Sequence, residues 1–263
     1  MYNPFTLSGK TILITGASSG IGRATAIECS KMGANIVITG RNPARLQETF
    51  DLLEVSGKHV QFIADLDNNE EILSIVGKTP PIDGLVHCAG IIKTIPFQFI
   101  KKEYLSAIMQ INFLAPVLIT KELLKNKKIK NNASIVFISS IEGVYCSSVA
   151  NSMYAASKGA INGVVKAMAV DLSGKGIRVN SVNPGLIKTS ILSEGIITSE
   201  QLQQEMKKYP LKRFGKPEEV AYSVIYLLSD SAQWITGSNL LIDGGVYIII
   251  IKLGKVQTYI KSF

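Results

Sequence analysis

The sequence predicts a single α/β domain with helices on both faces of a parallel sheet, and three observations carry that expectation. Short apolar blocks rich in β-formers alternate with longer segments of helical periodicity along the chain. Most blocks are continuously apolar rather than alternating, as strands covered on both faces require. The first block also runs directly into a glycine-rich turn and then a helical segment.

The strand blocks are Thr11 to Thr15, Asn35 to Thr39, Val60 to Ala64, Gly84 to His87, Ser134 to Ser139, Arg178 to Val182 and Asn239 to Ile242. Helical periodicity covers Gly22 to Met32, Ala44 to Val55, Tyr104 to Lys125, Tyr154 to Leu172 and Pro217 to Leu228. Local chemistry sets the boundaries. Asn42 suits an N-cap before Pro43, Gly33 and Gly57 suit left-handed helix ends, and Pro217 precedes two acids that the helix dipole favours.

The stretch from about Leu186 to Tyr209 is the least regular. It follows Asn183-Pro184-Gly185, contains Gly195, and includes a short helical piece around Glu200 to Lys208. Beyond the carboxyl end of a strand, such an insertion is placed to cover a substrate. No repeat or polar linker divides the chain. The expected organisation is one catalytic domain over residues 1–247, with a substrate loop at about 187–209 and an extension over 248–263.

Composition narrows the function classes. The 263 residues are 46% hydrophobic and 18% charged, with 22 Gly and 9 Pro, which excludes a disordered chain. The N-terminal residues show no basic stretch leading into an apolar run. The longest apolar run, Val246 to Ile251, is far short of the roughly 20 residues that cross a bilayer. A cytoplasmic protein with no membrane partner is expected. Cys29, Cys88 and Cys146 are widely spaced and only His59 and His87 accompany them, so no metal is expected. A net charge of +8 favours anionic partners in general. The densest cluster, Lys125, Lys127, Lys128 and Lys130, lacks the interleaved aromatics that stack bases, and no nucleic-acid partner is expected.

The turn Thr15-Gly16-Ala17-Ser18-Ser19-Gly20-Ile21-Gly22 has what a Rossmann-type dinucleotide site needs. Its glycines permit close backbone approach, and the following helix start offers free amides and positive dipole to a pyrophosphate. Its spacing is GxxxGxG rather than GxGxxG, and on this segment alone an ordinary βα turn remains the alternative. Asp65-Leu66 closes the third strand and Ala89-Gly90 follows the fourth. The Asp65 carboxylate suits an adenine amino group and Ala89-Gly90 is slim enough for a cofactor, yet each reads equally well as a turn device.

Sites for NAD place an acid about 20 residues beyond the glycine-rich turn. Near that distance the second strand finishes Ile38-Thr39-Gly40-Arg41-Asn42. Gly40 offers no carboxylate, whereas Arg41 suits bidentate contact with a 2′-phosphate. NADP(H) is therefore the expected cofactor, with NAD(H) as the alternative.

Tyr154 and Lys158 lie four apart near a helix start, hence on one face. A neighbouring ammonium lowers a phenol from its usual pKa of about 10 towards the range where a proton donor and acceptor works best. Ser140 at the end of the fifth strand could hold a carbonyl oxygen beside Tyr154, and Asn112 in the preceding helix could bind a water leading to Lys158.

These features occur together: the Thr15 to Gly22 turn, Asp65, Cys88-Ala89-Gly90, Asn112, Ser140, Tyr154 with Lys158, Asn183-Pro184-Gly185 and Asp243-Gly244-Gly245. In that combination the chain resembles the classical short-chain dehydrogenase/reductase family over about Leu7 to Tyr247. It looks closest to the 3-oxoacyl-[acyl-carrier-protein] reductase-like branch, with its sugar, steroid and polyol relatives.

The resemblance implies a seven-stranded sheet of order 3-2-1-4-5-6-7 in a homotetramer. It implies a tetrad in which Tyr154 is acid and base, Ser140 polarises the substrate oxygen, Lys158 binds the nicotinamide ribose and Asn112 holds a relay water. Pro184, Gly185, Ile187 and Thr189 are expected along the nicotinamide. The substrate would be a small carbonyl or alcohol, carried on an acidic protein if Lys127 or Lys128 and Lys175 present their charge to one. Alternatives are an NAD(H)-dependent sugar, polyol or steroid dehydrogenase, or a dinucleotide sensor without turnover. Two departures stand out: His87-Cys88 replaces the family's Asn-Asn, and residues 248–263 run past its usual end.

Overall fold

The computed structural model describes residues 2–189 and 199–248. Its strands are β1 (Thr11–Thr15), β2 (Asn35–Gly40), β3 (Val60–Ile63), β4 (Ile82–His87), β5 (Ile129–Ile138), β6 (Arg178–Pro184) and β7 (Asn239–Ile242). All pair in parallel, in the order β3-β2-β1-β4-β5-β6-β7 that the resemblance implies. The helices are α1 (Gly20–Lys31), α2 (Pro43–Asp51), α3 (Asn69–Lys78), α4 (Lys102–Met109), α5 (Ala115–Lys125), α6 (Ser152–Asp171), α7 (Ser199–Lys207) and α8 (Pro217–Leu228).

Period-2 alternation along the strands separates two cores. Ile12, Ile14, Ile36 and Ile38 face one way and pack with Ala26 of α1, Leu46 of α2 and Val224 of α8. Their neighbours Leu13, Val37, Leu85 and Phe137 face the other way, against Ile75 of α3, Ile119 of α5 and Val165 of α6. Burial on both faces is why the strands read as continuous apolar runs.

Several boundaries differ from the sequence expectation. Strand β5 begins at Ile129, five residues early, because its exposed start Lys130–Asn132 is polar and lies beyond a register shift between Ile82 and Gly84. Helix α3 is additional to the helical segments expected from periodicity: Asn68 caps it and Ile72, Ile75 and Val76 bury one face. Asn42 caps α2 as expected, accepting from Arg45 N at 2.9 Å. Gly33 ends α1 with φ +88°, but α2 stops at Asp51 and Gly57 is not left-handed. A side chain at Gly57 would instead strike the His59 ring.

The span Tyr104 to Lys125 is not one regular α-helix. Between α4 and α5 the backbone widens into a π-helical turn over Gln110–Leu114. Lys102–Lys125 is the one helix among the described residues long and apolar enough to cross a membrane (24 residues, mean hydropathy 1.4). In this fold its Ile119 and Leu123 are spent on the sheet's core. The extension from residue 249 and residues 190–198 of the expected substrate loop lie outside the described residues.

Candidate active site

The strand order reverses between β1 and β4, so the crevice beyond their carboxyl ends is where an open α/β sheet receives a ligand. The glycine-rich turn fills that position. Gly16 (φ +68°) and Gly20 (φ +54°) take left-handed conformations. A Cβ on Gly16 would stand 2.6 Å from the Ala89 backbone, and one on Gly22 would stand 2.2 Å from Gly16 O. Only hydrogen fits at either place.

Ser19 is the N-cap residue of α1, so the amides of Gly20, Ile21 and Gly22 begin the helix with no intrahelical partner. The Ser18 hydroxyl is buried without a hydrogen-bond partner among the described residues. Together these groups form a donor-lined cradle that fits a dinucleotide pyrophosphate. Arg23 braces it from behind, donating to Ser18 O at 2.8 Å and to Glu48 Oε2 at 2.9 Å.

Arg41 is exposed at the end of β2 and makes no ion pair among the described residues. The absent side chain at Gly40 has a steric reason as well: a Cβ there would come within 2.1 Å of Ser18 Oγ. Arg45, exposed on the first turn of α2, is a second cation near this corner that the sequence reading passed over. Asp65 is partly spent on its own turn, Oδ1 accepting from Asp67 N at 3.0 Å, while Leu66 is buried beside it.

At the far end, a Cβ on Gly90 would meet Asn112 Oδ1 at 3.4 Å and Lys158 Nζ at 3.5 Å. Thr189 reaches the glycine-rich turn, its Cγ2 lying 3.3 Å from the space a Gly20 Cβ would occupy. Ile187 is less available: its side chain packs on the core and its segment pairs with Gly215, Lys188 N donating to Gly215 O at 2.8 Å. Pro184 ends β6, and Gly185 N donates to Ile242 O at 2.9 Å.

Tyr154 and Lys158 share one face of α6, with Lys158 Nζ 5.6 Å from the centre of the Tyr154 ring. Nζ donates to Ile138 O at 2.8 Å, and burial draws the ammonium down to about 8. Burial also pushes the Tyr154 phenol up to about 12. The Ser140 hydroxyl draws it back only in part, and the charge of Glu142 raises it further. The lowering expected from Lys158 is not among the effects that act on this phenol, where desolvation dominates.

Asn112 is held by protein groups on both sides of its amide. The π-helical turn aims its amide at Ile91: Oδ1 accepts from Ile91 N at 2.8 Å, and Nδ2 donates to Ile91 O at 2.9 Å and to Ser157 Oγ at 3.0 Å. Both amide hydrogens are committed to protein, so the side chain clamps the loop after Gly90.

The departure at His87-Cys88 is structural. His87 stacks on Phe137 with centroids 4.8 Å apart, and its Nε2 lies 2.9 Å from Thr120 Oγ1. Thr120 gives its own hydrogen to Pro116 O, so His87 donates from Nε2 and leaves Nδ1 bare. Burial pushes the Cys88 thiol up to about 12, which leaves no nucleophile there.

Two groups escaped the sequence reading. Asn162, one turn beyond Lys158, donates to Ser139 Oγ at 2.8 Å and accepts from Asn183 Nδ2 at 3.0 Å, tying α6 to β5 and β6. Its place four residues after Lys158 was the available signal. Glu142 lies buried between Ser140 and Tyr154 in the chain, in a segment with no periodicity to mark it.

Fold and site together define a nicotinamide-dinucleotide oxidoreductase acting on a C=O or CH–OH carbon. The profile of the Enoyl-(Acyl carrier protein) reductase family matches residues 16–247, and the chain belongs to the short-chain dehydrogenase/reductase family. A 3-oxoacyl-[acyl-carrier-protein] reductase from Rickettsia prowazekii is 34% identical over 243 residues, covering 92% of this chain and 99% of that protein. L-xylulose reductase from Caenorhabditis elegans is 33% identical over 249 residues, covering 92% and 97%. Among solved structures, one described as a 2-deoxy-D-gluconate 3-dehydrogenase from Agrobacterium tumefaciens, with bound NADP, has a TM-score of 0.84 at 27% identity. That match covers 93% of this chain and 99% of the other.

Proposed function

We propose that this protein is an NADP(H)-dependent reductase that converts a ketone to a secondary alcohol, or the reverse, with Tyr154 as acid and base. The observation that carries the reading is the joint placement of Tyr154 and Lys158 on α6 with the Ser140 hydroxyl acting on the same phenol. The bound dinucleotide supplies or takes the hydride. In reduction, the Ser140 hydroxyl orients the carbonyl oxygen and Tyr154 gives that oxygen its proton as the carbon gains hydride. A phenol held near 12 keeps its proton at neutral pH, which suits this direction.

The first substrate reading is a 3-oxoacyl thioester on a carrier protein. Its support is the acyl-carrier reductase relatives, together with exposed Lys127 and Lys175. A second reading, a hydroxylated ketone of the sugar or polyol kind, is favoured by the buried Glu142 carboxylate near Tyr154. A cytoplasmic homotetramer belongs to the same proposal. Apolar side chains exposed in and beside α4 and α5, Phe97, Phe99, Leu105 and Leu114, suit a subunit contact, and light scattering tests it.

Tyr154→Phe is the direct test of the chemistry. Removing the transferable proton should lower turnover about 10²–10⁴-fold while NADPH binding, read by fluorescence titration, is retained. Comparable kcat in variant and wild type would sink the mechanism.

A further inference from the structure

We infer that the Glu142 carboxylate is a specificity-determining group that accepts a hydrogen bond from a substrate hydroxyl beside the reacting carbonyl, and so selects hydroxylated ketones over 3-oxoacyl thioesters. This rests on the ketone-reductase reading above and decides between its two substrate classes.

Position comes first. Glu142 lies two residues after Ser140, and its backbone N–H donates to Ser140 Oγ at 3.1 Å. The next residue, Gly143, has φ +89°. A Cβ there would stand 2.2 Å from Ala155 O and 2.7 Å from Gly159 N. No other residue allows the loop to lie this close on α6, at the turn that bears both Tyr154 and Lys158. Glu142 is thereby fastened beside Ser140 and next to the residue that lies on α6, and its charge acts on the Tyr154 phenol.

Electrostatics comes second. Glu142 is only 8% exposed, and an ionised carboxylate has about four acceptor positions to fill. Among the described residues it has two neutral donors, both at long range: Asn151 Nδ2 at 3.2 Å on Oε1 and Ser148 N at 3.4 Å on Oε2. No described cation pairs with it. A buried carboxylate held in place yet under-supplied with donors favours a ligand that brings one.

Substrate chemistry comes third. On either side of its keto group, a 3-oxoacyl thioester has CH₂ groups and then a thioester oxygen, all without donors. That oxygen would meet the carboxylate as one acceptor meets another. A ketone with a neighbouring hydroxyl offers the donor that the thioester lacks. The Ser148 and Asn151 contacts hold the carboxylate in place and leave acceptor positions on it to be filled.

The test uses the full chain and NADPH absorbance. Acetoin is compared with butanone, dihydroxyacetone with acetone, and the acetoacetyl thioester of N-acetylcysteamine serves as the acyl probe. Wild type should give kcat/KM at least tenfold higher for the hydroxylated member of each pair. In Glu142→Gln, which keeps an acceptor for Ser148, that preference should fall at least tenfold; in Glu142→Leu the thioester should gain relative to acetoin. NADPH titration of each variant reports whether the fold is kept. Equal kcat/KM within both pairs for wild type, or an unchanged preference in an NADPH-binding Glu142→Gln, would overturn the inference alone. Absence of turnover with all five probes would overturn the ketone-reductase reading itself.

Discussion

Asn112 grips the backbone of Ile91 from both sides, accepting from its N–H at 2.8 Å and donating to its carbonyl at 2.9 Å. The grip requires the π-helical turn over Gln110–Leu114, because a regular helix would rotate the amide off this line. It fixes the loop after Gly90, which faces Lys158 Nζ.

Asn112→Ala should therefore act through position. It leaves the partly buried Ile91 backbone with an unpaired donor and acceptor, at up to about 1–3 kcal/mol for each group. Amide exchange over residues 90–95 should quicken, and kcat/KM should fall at least tenfold. A loosened loop with unchanged kcat/KM would show that the clamp serves stability only.

The pH profile follows from the two buried titrating groups of α6. With Tyr154 near 12, ketone reduction should be flat from pH 6 to 8, because the phenol stays protonated throughout. Alcohol oxidation needs the phenolate, so its kcat/KM should rise roughly tenfold per pH unit into the alkaline range. Lys158, near 8, loses its charge over the same range, and cofactor affinity should weaken there. Lys158→Met should impair both binding and turnover most below pH 8, where the wild-type ammonium carries its charge. An oxidative plateau already reached at pH 7 would mean that the phenol is several units more acidic than its burial dictates.

His87 makes the fold sensitive to acid. Burial holds it near 3 in the folded chain, against about 6.5 unfolded. Below pH 6.5 the unfolded state takes a proton that the folded state refuses. The stability associated with neutral His87 is therefore full above pH 6.5 and declines as pH falls towards 3, by up to about 1.4 kcal/mol per pH unit. Urea denaturation at pH 7, 6 and 5 should show His87→Asn gaining on wild type as the pH drops. A constant difference between the two would refute the assignment.

How much of this was legible in the sequence depended on whether a signal was local. Strands such as Ile12–Ile14 and Ile36–Ile38 are buried on both faces, so their runs were plain. The start of β5 was not, since Lys130, Asn131 and Asn132 are exposed and polar. Tyr154 and Lys158 declared themselves by helical spacing. The commitment of Asn112 to Ile91, made at a π-helical turn, and the seating of Gly143 on α6 are contacts across the fold. No spacing in the chain encodes either.

Cofactor choice turns on the corner where β2 meets the glycine-rich turn. Arg23 is already engaged by Glu48 and the backbone of Ser18, so it is held in place behind the cradle. Arg41 has no ion pair among the described residues, and on the proposed NADP(H) reading its guanidinium is the bidentate partner for a 2′-phosphate. Gly40 cannot take an acid without displacing Ser18 Oγ, 2.1 Å from where its Cβ would fall. A hydrogen-bonded charge contact contributes about 1.5–3 kcal/mol. Arg41→Ala should accordingly raise KM for NADPH by roughly 10- to 150-fold, since each 1.4 kcal/mol is a factor of ten, and leave KM for NADH nearly unchanged. Gly40→Asp should weaken NADPH further, by placing like charge against the phosphate and disturbing Ser18. Steady-state kinetics with both cofactors on wild type and the two variants decides the matter: equal kcat/KM for NADPH and NADH in wild type, or equal losses in Arg41→Ala, would show that this corner does not read the 2′-phosphate.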